Sequence, residues 1–461
     1  MTEAAIAPVA GAPIDARAVV PQRLVIVLPT SGEFDSRTYR IASACVARGH
    51  DVTVLARADG MASSEDRHPS GYRILRVPVD PVDALPLSGL WRRVRDRRRA
   101  RRRGSPSTGG RPTSAEGTVS SPAGRGLLGR VRGAGRGAWR VAAIALTVRA
   151  QIAATRPVDP GADLYHGMAY MGIPVALALR GGRPAAVVYD ARDIYLEARN
   201  LARLPRPARW LVGRVERRWA SEASRVVTVN RAYAEVMAER FRVPMPLIVM
   251  NCSYRQARSA APERRFHERL GLDANRRVVL YHGGLFPERG IEQLIAAMPE
   301  IPGADLVLMG YGVLGAALPA LIAASPAADR IHLLPAVPPD ELHDWVAAAD
   351  VVAMPIQPST LNHRLTTPNK LFEAMASGVP VVASDLPGMA TIVTETGCGV
   401  LCDPTDPASI AAAIRSIVEA PAADREAMAE RARRAADDTY NWEAQLDVLL
   451  AEYGRLTGRP W

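Results

Sequence analysis

The sequence predicts an α/β protein with two doubly wound, Rossmann-like domains that face each other across a cleft. Short apolar runs of strand length alternate with segments of helical periodicity along most of the chain. A polar, irregular stretch near the middle, residues 252–277, is the best candidate for a linker between the two halves. With 461 residues, 48% of them hydrophobic and 23% charged, the chain is long enough for two globular domains of ordinary size.

The first domain is predicted over residues 22–251, after a flexible N-terminus at residues 1–21. It opens with an apolar strand, a helix that stops at Gly49 and a second strand, which together form a βαβ unit. Gly32 lies in the first turn, where a glycine lets a ligand approach the backbone, although it also serves the turn alone. Strands of this domain are predicted at residues 23–28, 52–55, 74–78, 163–167, 186–190, 225–230 and 246–251.

Composition changes sharply at residues 91–140, which we predict to be a partly disordered, basic insertion in the first domain. The segment has 15 arginines against Asp96 and Glu116. Its middle is rich in Gly, Ser and Pro, and its end returns to an amphipathic helical pattern. We favour attachment to anionic lipid, with Trp91 and Trp139 at the interface. The alternatives are nucleic-acid binding, for which the interleaved aromatic residues are missing, and a solvated charge run without a partner.

The second domain is predicted over residues 278–440, followed by a last helix at residues 441–461. A strand leads to the glycine pair Gly283 and Gly284 and then to a helix start, an order that suggests a phosphate cradle. Strands of this domain are predicted at residues 278–282, 304–312, 331–335, 349–355 and 381–384.

A helix start near Pro368 is the feature around which this domain is organised. Thr367 suits the N-cap position and Pro368 the first helical position. Free N–H groups and the positive end of the macrodipole attract an anion such as a phosphate. Lys370, in the first turn, is the only lysine in the chain, and a cation there is unfavourable unless an anion lies nearby. The alternative is that Lys370 has no function and lies on a solvated face of the helix.

Glu373 follows one turn later on the same helix. A carboxylate so close to an anion site usually contacts hydroxyls, such as those of a ribose. The alternative is a favourable acid near the helix start.

The segment PNKLFEAMASGVPVVASDLPGMATIV, residues 368–393, resembles the nucleotide-sugar signature of the family 4 glycosyltransferases, which are retaining enzymes of the GT-B fold. The resemblance implies that Glu373 contacts the donor ribose as the second of two family glutamates, the first of which would fall at Leu365. It also implies that Arg289 and Lys370 hold the donor diphosphate, although Gly284 stands where relatives carry an arginine. The implied donor-binding residues are Gly283, Gly284, Gly310, Gly312, Pro335, Asn369 and Glu373.

The segment at residues 35–57 resembles the opening of the same family and implies an acceptor side in the first domain. Its candidate residues are Gly32, Asp35, Arg37 and Asp190, with helix capping and a surface ion pair as alternatives for Asp35 and Arg37. His166 resembles a cleft histidine of the family, with a structural role as the alternative. Arg192 stands where relatives have a histidine near the reacting sugar, so the predicted catalytic residues are Lys370, Arg289, His166 and Arg192.

These features predict a hexosyltransferase that moves a sugar from a nucleoside diphosphate sugar to a glycan or lipid-linked acceptor, in cell-envelope or exopolysaccharide synthesis. We expect no metal and no cofactor, since the cysteines lack the Cys or His partners of a zinc site. One alternative is a non-catalytic scaffold of the same fold at the membrane, which the departures at Leu365, Gly284 and Arg192 suggest. The other is a sugar-nucleotide epimerase.

Cysteine usage and hydropathy favour a cytoplasmic protein. Four scattered cysteines are too few for a disulfide framework, which indicates a reducing compartment. The N-terminus does not resemble a secretory signal, and no apolar run reaches the ~18–20 residues of a membrane span. We therefore expect a peripheral contact at the inner face of the plasma membrane and no nucleic-acid partner.

Overall fold

The computed structural model describes residues 20–461 except residues 33–34, 59, 61, 82–126 and 258–263, and describes no side chains at 127–138 and 199–200. Two parallel sheets, each covered by helices on both faces, form the two domains. The predicted architecture of two doubly wound domains is therefore confirmed.

The sheet of the first domain has the order β3-β4-β2-β1-β5-β6-β7-β8, and all of its pairs are parallel except β3 with β4. The strand order reverses between β1 and β5, the topological switch point near which ligands bind in open α/β sheets. Its strands are β1 (Arg23–Val27), β2 (Asp51–Ala58), β3 (Ser64–Arg67), β4 (Arg73–Pro78), β5 (Leu164–Met168), β6 (Ala186–Asp190), β7 (Arg225–Thr228) and β8 (Leu247–Ile248).

Two helices of the first domain begin where a short polar side chain caps them. Asp35 accepts a hydrogen bond from the Thr38 N–H, and Asn230 accepts one from the Tyr233 N–H. The helices are α1 (Ser36–Ala47), α2 (Leu127–Thr155), α3 (Ala169–Arg180), α4 (Arg199–Ala202), α5 (Arg206–Glu222) and α6 (Arg231–Phe241). The predicted insertion lies outside the described residues up to position 126, and its last part belongs to α2, as the amphipathic pattern there predicts.

The sheet of the second domain is parallel throughout, in the order β11-β10-β9-β12-β13-β14, with its switch point between β9 and β12. Its strands are β9 (Arg277–Gly284), β10 (Ala304–Tyr311), β11 (Ile331–Leu334), β12 (Val351–Met354), β13 (Val381–Ser384) and β14 (Gly399–Cys402). The short helix α7 (Arg265–Leu270) precedes this sheet, as predicted. The helices that follow are α8 (Ile291–Ala297), α9 (Leu318–Ala323), α10 (Leu342–Ala347), α11 (Leu361–Arg364), α12 (Asn369–Ser377), α13 (Pro387–Thr396), α14 (Pro407–Val418) and α15 (Ala422–Asp438).

The last helix, α16 (Trp442–Thr457), packs against the first domain. Trp442, Leu449 and Tyr453 are fully buried in the same apolar cluster as strand β1 and helix α1. The Trp442 N–H also donates a hydrogen bond of 2.7 Å to the carbonyl of Ser253. The chain thus returns to the first domain after it has completed the second.

Two short strands, β3 and β14, were not predicted. All four residues of β3 are polar and exposed, so β3 is an edge strand formed by pairing with β4. Strand β14 begins with Gly399, where a β-carbon would lie 2.0 Å from the carbonyl oxygen of Val381. Such short strands depend on their neighbours for formation.

The structure also shows the state of the four cysteines and the hydropathy of the described helices. Cys45, Cys252, Cys398 and Cys402 are free thiols in buried positions. Among the helices that the structure describes, none is long and apolar enough to cross a membrane.

Candidate active site

The carboxyl ends of β9 and β10 meet through glycines. A β-carbon at Gly310 would lie 1.8 Å from the carbonyl oxygen of Gly283, its partner in register, and one at Gly312 would lie 2.1 Å from that of Leu285. Glycine is therefore required at both positions because the backbone segments touch. Gly283 itself has a φ of 102° and open space where its β-carbon would be, so its backbone faces a gap.

Helix α12 begins at Asn369, and Pro368 is its N-cap residue, with no side chain bonded to the first N–H groups. The prediction that Thr367 caps this helix is wrong. Its hydroxyl instead accepts a hydrogen bond of 3.2 Å from Nδ2 of Asn230 in the first domain. Because no side chain caps the start of α12, its N–H groups are free to bind an anion.

Lys370 extends from the first turn of α12 toward strand β9. Its Nζ lies 3.6 Å from the centroid of the Tyr281 ring, and the Tyr281 hydroxyl donates a hydrogen bond of 2.8 Å to the carbonyl of Gly284. Burial and the nearby charge of Arg289 lower the pKa of the Lys370 ammonium to about 7, against the attraction of Glu373. The ammonium thus lies beside a second cation in a position of low polarity.

Glu373 lies one turn further along α12, beside strand β9. Its Oε2 is 3.6 Å from Nδ1 of His282. Burial and the charges of Lys370 and His343 lower the pKa of His282 to about 3, so this imidazole is neutral at pH 7. Burial raises the pKa of Glu373, while Lys370 and Arg40 act in the opposite direction.

Positive charge exceeds negative charge at this place. Lys370 interacts with both Arg289 and Glu373, and Arg40 of helix α1 also interacts with Glu373 across the domain boundary. In the part of the chain that the structure describes, neither Lys370 nor Arg289 forms an ion pair with a carboxylate. An anion between the two cations would relieve their repulsion.

The first domain holds the loop that leads into α12. Nδ2 of Asn230 donates a hydrogen bond of 2.8 Å to the carbonyl of Leu365, and Oδ1 of Asn362 accepts one of 2.8 Å from the Ile194 N–H. The Leu365 side chain packs against the apolar core of the first domain. A glutamate at this position would bring a charge to the edge of that core.

Asp35 and Arg192 form a pair with two hydrogen bonds, of 3.1 and 2.9 Å. Asp35 also caps helix α1, as the alternative role for this residue predicted. Although burial acts in the opposite direction, Asp35 raises the pKa of Arg192. The Arg192 side chain keeps 28% of its surface exposed, so it remains accessible while paired. Its predicted catalytic role and the acceptor-side role of Asp35 stay predictions.

His166, Asp190 and Arg37 lie together in a network without exposed side-chain surface. The Tyr453 hydroxyl donates to Nδ1 of His166, Nε2 of His166 donates to Asp190 at 3.1 Å, and Nε of Arg37 donates to Asp190 at 2.7 Å. Burial would raise the pKa of Asp190, but Arg37 and His166 hold it well below its usual range. Helix α16 covers these three residues, so they form a buried network, and their predicted catalytic and acceptor-side roles stay predictions. The ion pair of Arg37 is buried, not on the surface.

Three further predicted residues lie at separate edges of the site. Oδ1 of Asn369 accepts a hydrogen bond of 2.8 Å from Nδ2 of Asn251, so the first turn of α12 contacts the end of the first domain. Pro335 is exposed directly after the edge strand β11. Gly32 has a φ of 82° and, with Asp35, lines a cavity of about 30 Å³ in the first domain.

Sequence reasoning missed Tyr281, His282 and Arg40. Tyr281 and His282 end an apolar strand run, where they are indistinguishable from core residues. Arg40 is one of 57 arginines, and only the folded structure brings its charge close enough to act on Glu373. Within the described residues, no group of three or more His, Cys, Asp or Glu side chains could hold a metal ion.

Solved structures of the same fold cover nearly the whole chain. The sucrose-phosphate synthase of Thermosynechococcus elongatus superposes with a TM-score of 0.68 at 20% identity, over 95% of this chain and 99% of that one. The HepE protein of Anabaena, solved in complex with UDP-glucose, gives a TM-score of 0.58 at 17% identity, over 94% and 100%. The fold is therefore that of the GT-B glycosyltransferases.

Sequence comparison finds a family model and curated relatives that each match part of the chain. Residues 262–435 match the family model described as Glycosyl transferases group 1. The D-inositol 3-phosphate glycosyltransferase of Segniliparus rotundus is 35% identical over 192 residues, which are 40% of this chain and 41% of that protein. Its counterpart in Thermobispora bispora is 32% identical over 228 residues, or 47% and 50%. The chain spans half or less of the length of these curated relatives. Residues 262–435, in the second half of the chain, are thus similar to the group 1 glycosyl transferases.

Proposed function

We propose that this protein moves a hexose from a nucleoside diphosphate sugar to an acceptor hydroxyl with retention of configuration. The observation that carries the proposal is the excess of positive charge at the start of α12. Lys370 and Arg289 face each other there, without an ion pair to a carboxylate among the described residues, beside free helix N–H groups. This arrangement suits a pyrophosphate better than any neutral ligand.

The donor would lie across the carboxyl ends of β9 and β12. Its diphosphate would rest between Lys370 and Arg289, and Glu373 would accept hydrogen bonds from the ribose. The UDP-glucose complex of the structurally similar HepE protein supports a nucleotide sugar as the ligand. The names of the curated relatives support transfer to a polar acceptor.

The difficult step of such a reaction is the departure of the diphosphate. The bond between the anomeric carbon and the phosphate oxygen would break with its electron pair on that oxygen. The anomeric carbon would bond to the acceptor oxygen, and the proton of the acceptor hydroxyl would pass to the departing diphosphate. Lys370, Arg289 and the N–H groups of α12 would stabilise the charge that develops on the leaving group. Since side-chain cations supply this charge, we propose a reaction without a metal or another cofactor.

We propose that the acceptor is a glycan or a lipid-linked saccharide used in envelope or exopolysaccharide synthesis, at the cytoplasmic face of the membrane. Residues 91–140 carry 15 arginines against two acidic residues, a charge that suits an anionic bilayer. The buried free thiols of all four cysteines fit a reducing compartment. We propose no nucleic-acid partner.

A thermal-shift screen of nucleoside diphosphates and their sugars, followed by measurement of diphosphate release, tests the proposal. We expect one diphosphate and its sugar to raise the melting temperature, and release of that diphosphate to accelerate with acceptor. Binding without release would favour the non-catalytic scaffold. Release without any acceptor-linked product would favour the epimerase.

A further inference from the structure

Helix α5 (Arg206–Glu222) presents large apolar side chains and arginines to solvent. Trp210 is 64% exposed and Leu211 is 47% exposed. Between residues 203 and 218 the chain has six arginines and one acidic residue, Glu216. Glu216 is buried and accepts a hydrogen bond of 2.7 Å from the Tyr189 hydroxyl, so it does not balance the charge of the outer surface.

Two of the five arginines of this helix pair with carboxylates, one of them Arg209 with Glu197 at 2.8 Å. Arg214 lies over the ring of Trp210, with 5.1 Å between the guanidinium carbon and the ring centroid. Arg218 pairs only with Glu222 of the same helix, at 2.7 Å. Within the described residues, Arg206 and Arg217 form no ion pair with a carboxylate. An exposed tryptophan among such arginines is typical of a helix that lies in a membrane interface.

A second exposed tryptophan lies on the neighbouring helix. Trp139 of α2 is 72% exposed, and α2 and α5 contact each other on one face of the first sheet. Both helices lead into parallel strands, β5 and β7, so they run in the same direction. At a rise of about 1.5 Å per residue, Trp139 lies ~24 Å and Trp210 ~18 Å before the ends of their helices. Both side chains are therefore near the carboxyl edge of the sheet, where the cleft opens.

A cavity of about 410 Å³ lies beside α5, between this helix, α6 and the turn at Tyr195–Glu197. Its walls include the apolar side chains of Trp210, Met237 and Phe241, and Arg206 and Arg217 also line it. Two carboxylates face the cavity as well: Glu216, and Glu197, which pairs with Arg209 and Arg240. Such a cavity has room and charge for a phosphate group joined to an apolar chain.

We propose that the surface formed by α5 and the exposed Trp139 side of α2, here called the docking face, binds an anionic phospholipid bilayer, with a lipid phosphate in the cavity beside Arg206 and Arg217. The positive charge of the docking face and the exposed Trp139 and Trp210 favour an anionic bilayer as its ligand. A nucleic acid would use the arginines but would leave Leu211 exposed to water, so a bilayer explains more of the surface. The docking face is distinct from residues 91–126, and it holds the cleft next to the membrane.

Vesicle flotation of the full chain tests the proposal. We expect the wild-type protein to float with phosphatidylcholine vesicles that contain about one third phosphatidylglycerol, and not with pure phosphatidylcholine. The variant with Trp210→Ser and Arg214→Glu should retain less than a tenth of this binding. In a second variant, with Arg206→Gln and Arg217→Gln, binding to these vesicles should fall at least threefold. The matched control, Leu321→Ser with Arg434→Glu, makes the same types of change on exposed residues of the second domain and should float as the wild type does.

Three results would overturn the proposal. One is equal flotation of wild type and both docking-face variants, and another is no flotation of the wild type with anionic vesicles. The third is binding of a short oligonucleotide, but not of vesicles, that the variants abolish. Deletion of residues 91–126 should leave flotation that still depends on Trp210. Binding of a nucleoside diphosphate should be unchanged in every docking-face variant, so a failure here is distinguishable from a failure of the proposed transfer reaction.

Discussion

The ammonium of Lys370 lies 3.6 Å from the centroid of the Tyr281 ring. The two residues come from different elements, α12 and β9, on the two sides of the switch point of the second sheet. The electron-rich face of the ring attracts the ammonium, while Arg289 repels it. Tyr281 therefore stabilises the Lys370 ammonium at a position where burial and Arg289 disfavour its charge.

Replacement of Tyr281 tests this role. Tyr281→Leu removes the aromatic face, and a cation–π contact of up to about 2 kcal/mol corresponds to a loss of roughly 30-fold in nucleoside diphosphate affinity. Tyr281→Phe keeps the face and removes only the hydrogen bond to Gly284, so it should lose far less. Calorimetric titration of both variants measures the difference, and equal affinities for the two would show that the ring face contributes nothing.

Binding of the diphosphate should depend on pH through Lys370. In the free protein the pKa of Lys370 is lowered to about 7, first by burial and then by Arg289, and a bound dianion would raise it. Between pH 7.5 and 9 the free amine is mostly neutral and must take up a proton on binding. Affinity should therefore fall as pH rises, by at most tenfold per pH unit.

Calorimetry in buffers of different ionisation enthalpy measures this proton uptake. Lys370→Met, which keeps a chain of similar length without the amine, is the control and should lose the pH dependence. Wild-type affinity that stays constant from pH 7.5 to 9 would contradict the assignment.

His166 should act as a structural residue. His166→Gln, like Tyr453→Phe, breaks the hydrogen bond that joins β5 to the last helix, and each should cost about 1–3 kcal/mol of unfolding free energy. Denaturant unfolding measures the loss, and nucleoside diphosphate affinity should not change. A His166→Gln protein of normal stability with turnover reduced a hundredfold would instead place this histidine in the reaction.

The glycine contact between β9 and β10 should be required for the donor site. In Gly310→Ala the new β-carbon would meet the Gly283 carbonyl, so the strand end and the backbone facing the gap must shift. We expect a lower melting temperature and a loss of diphosphate binding. Gly303→Ala, at a site where a β-carbon meets nothing within 4 Å, is the matched control. Normal binding by Gly310→Ala would show that this contact is dispensable.

Much of the fold follows from local patterns in the sequence. Apolar runs predicted most strands of both sheets because buried parallel strands are apolar on both faces. The edge strand β3 lacks that signal, since all four of its residues are exposed. The capping residue at the start of α12 was also predicted incorrectly. The Thr367 hydroxyl does not cap the helix, because it accepts a hydrogen bond from Asn230, 137 positions away in the chain.

Spacing in the sequence placed together only those site residues that are close in the chain, and the family resemblance alone added Arg289 to them. Lys370 and Glu373 share one helix, so their spacing was enough to place them together. Arg40 and Tyr281 reach the same site from distant segments, and no local pattern indicates that. His166 resembled a cleft residue in sequence, but α16, nearly 300 residues later, buries it under Tyr453.

The central claim is that a diphosphate lies between Lys370 and Arg289. Its most direct test is calorimetric comparison of a nucleoside diphosphate with the bare nucleoside, in the wild type, Lys370→Ala, Arg289→Ala and the double variant. We predict that each single change weakens diphosphate binding at least tenfold and leaves nucleoside binding unchanged. Diphosphate affinity equal to that of the wild type in the double variant would contradict the account.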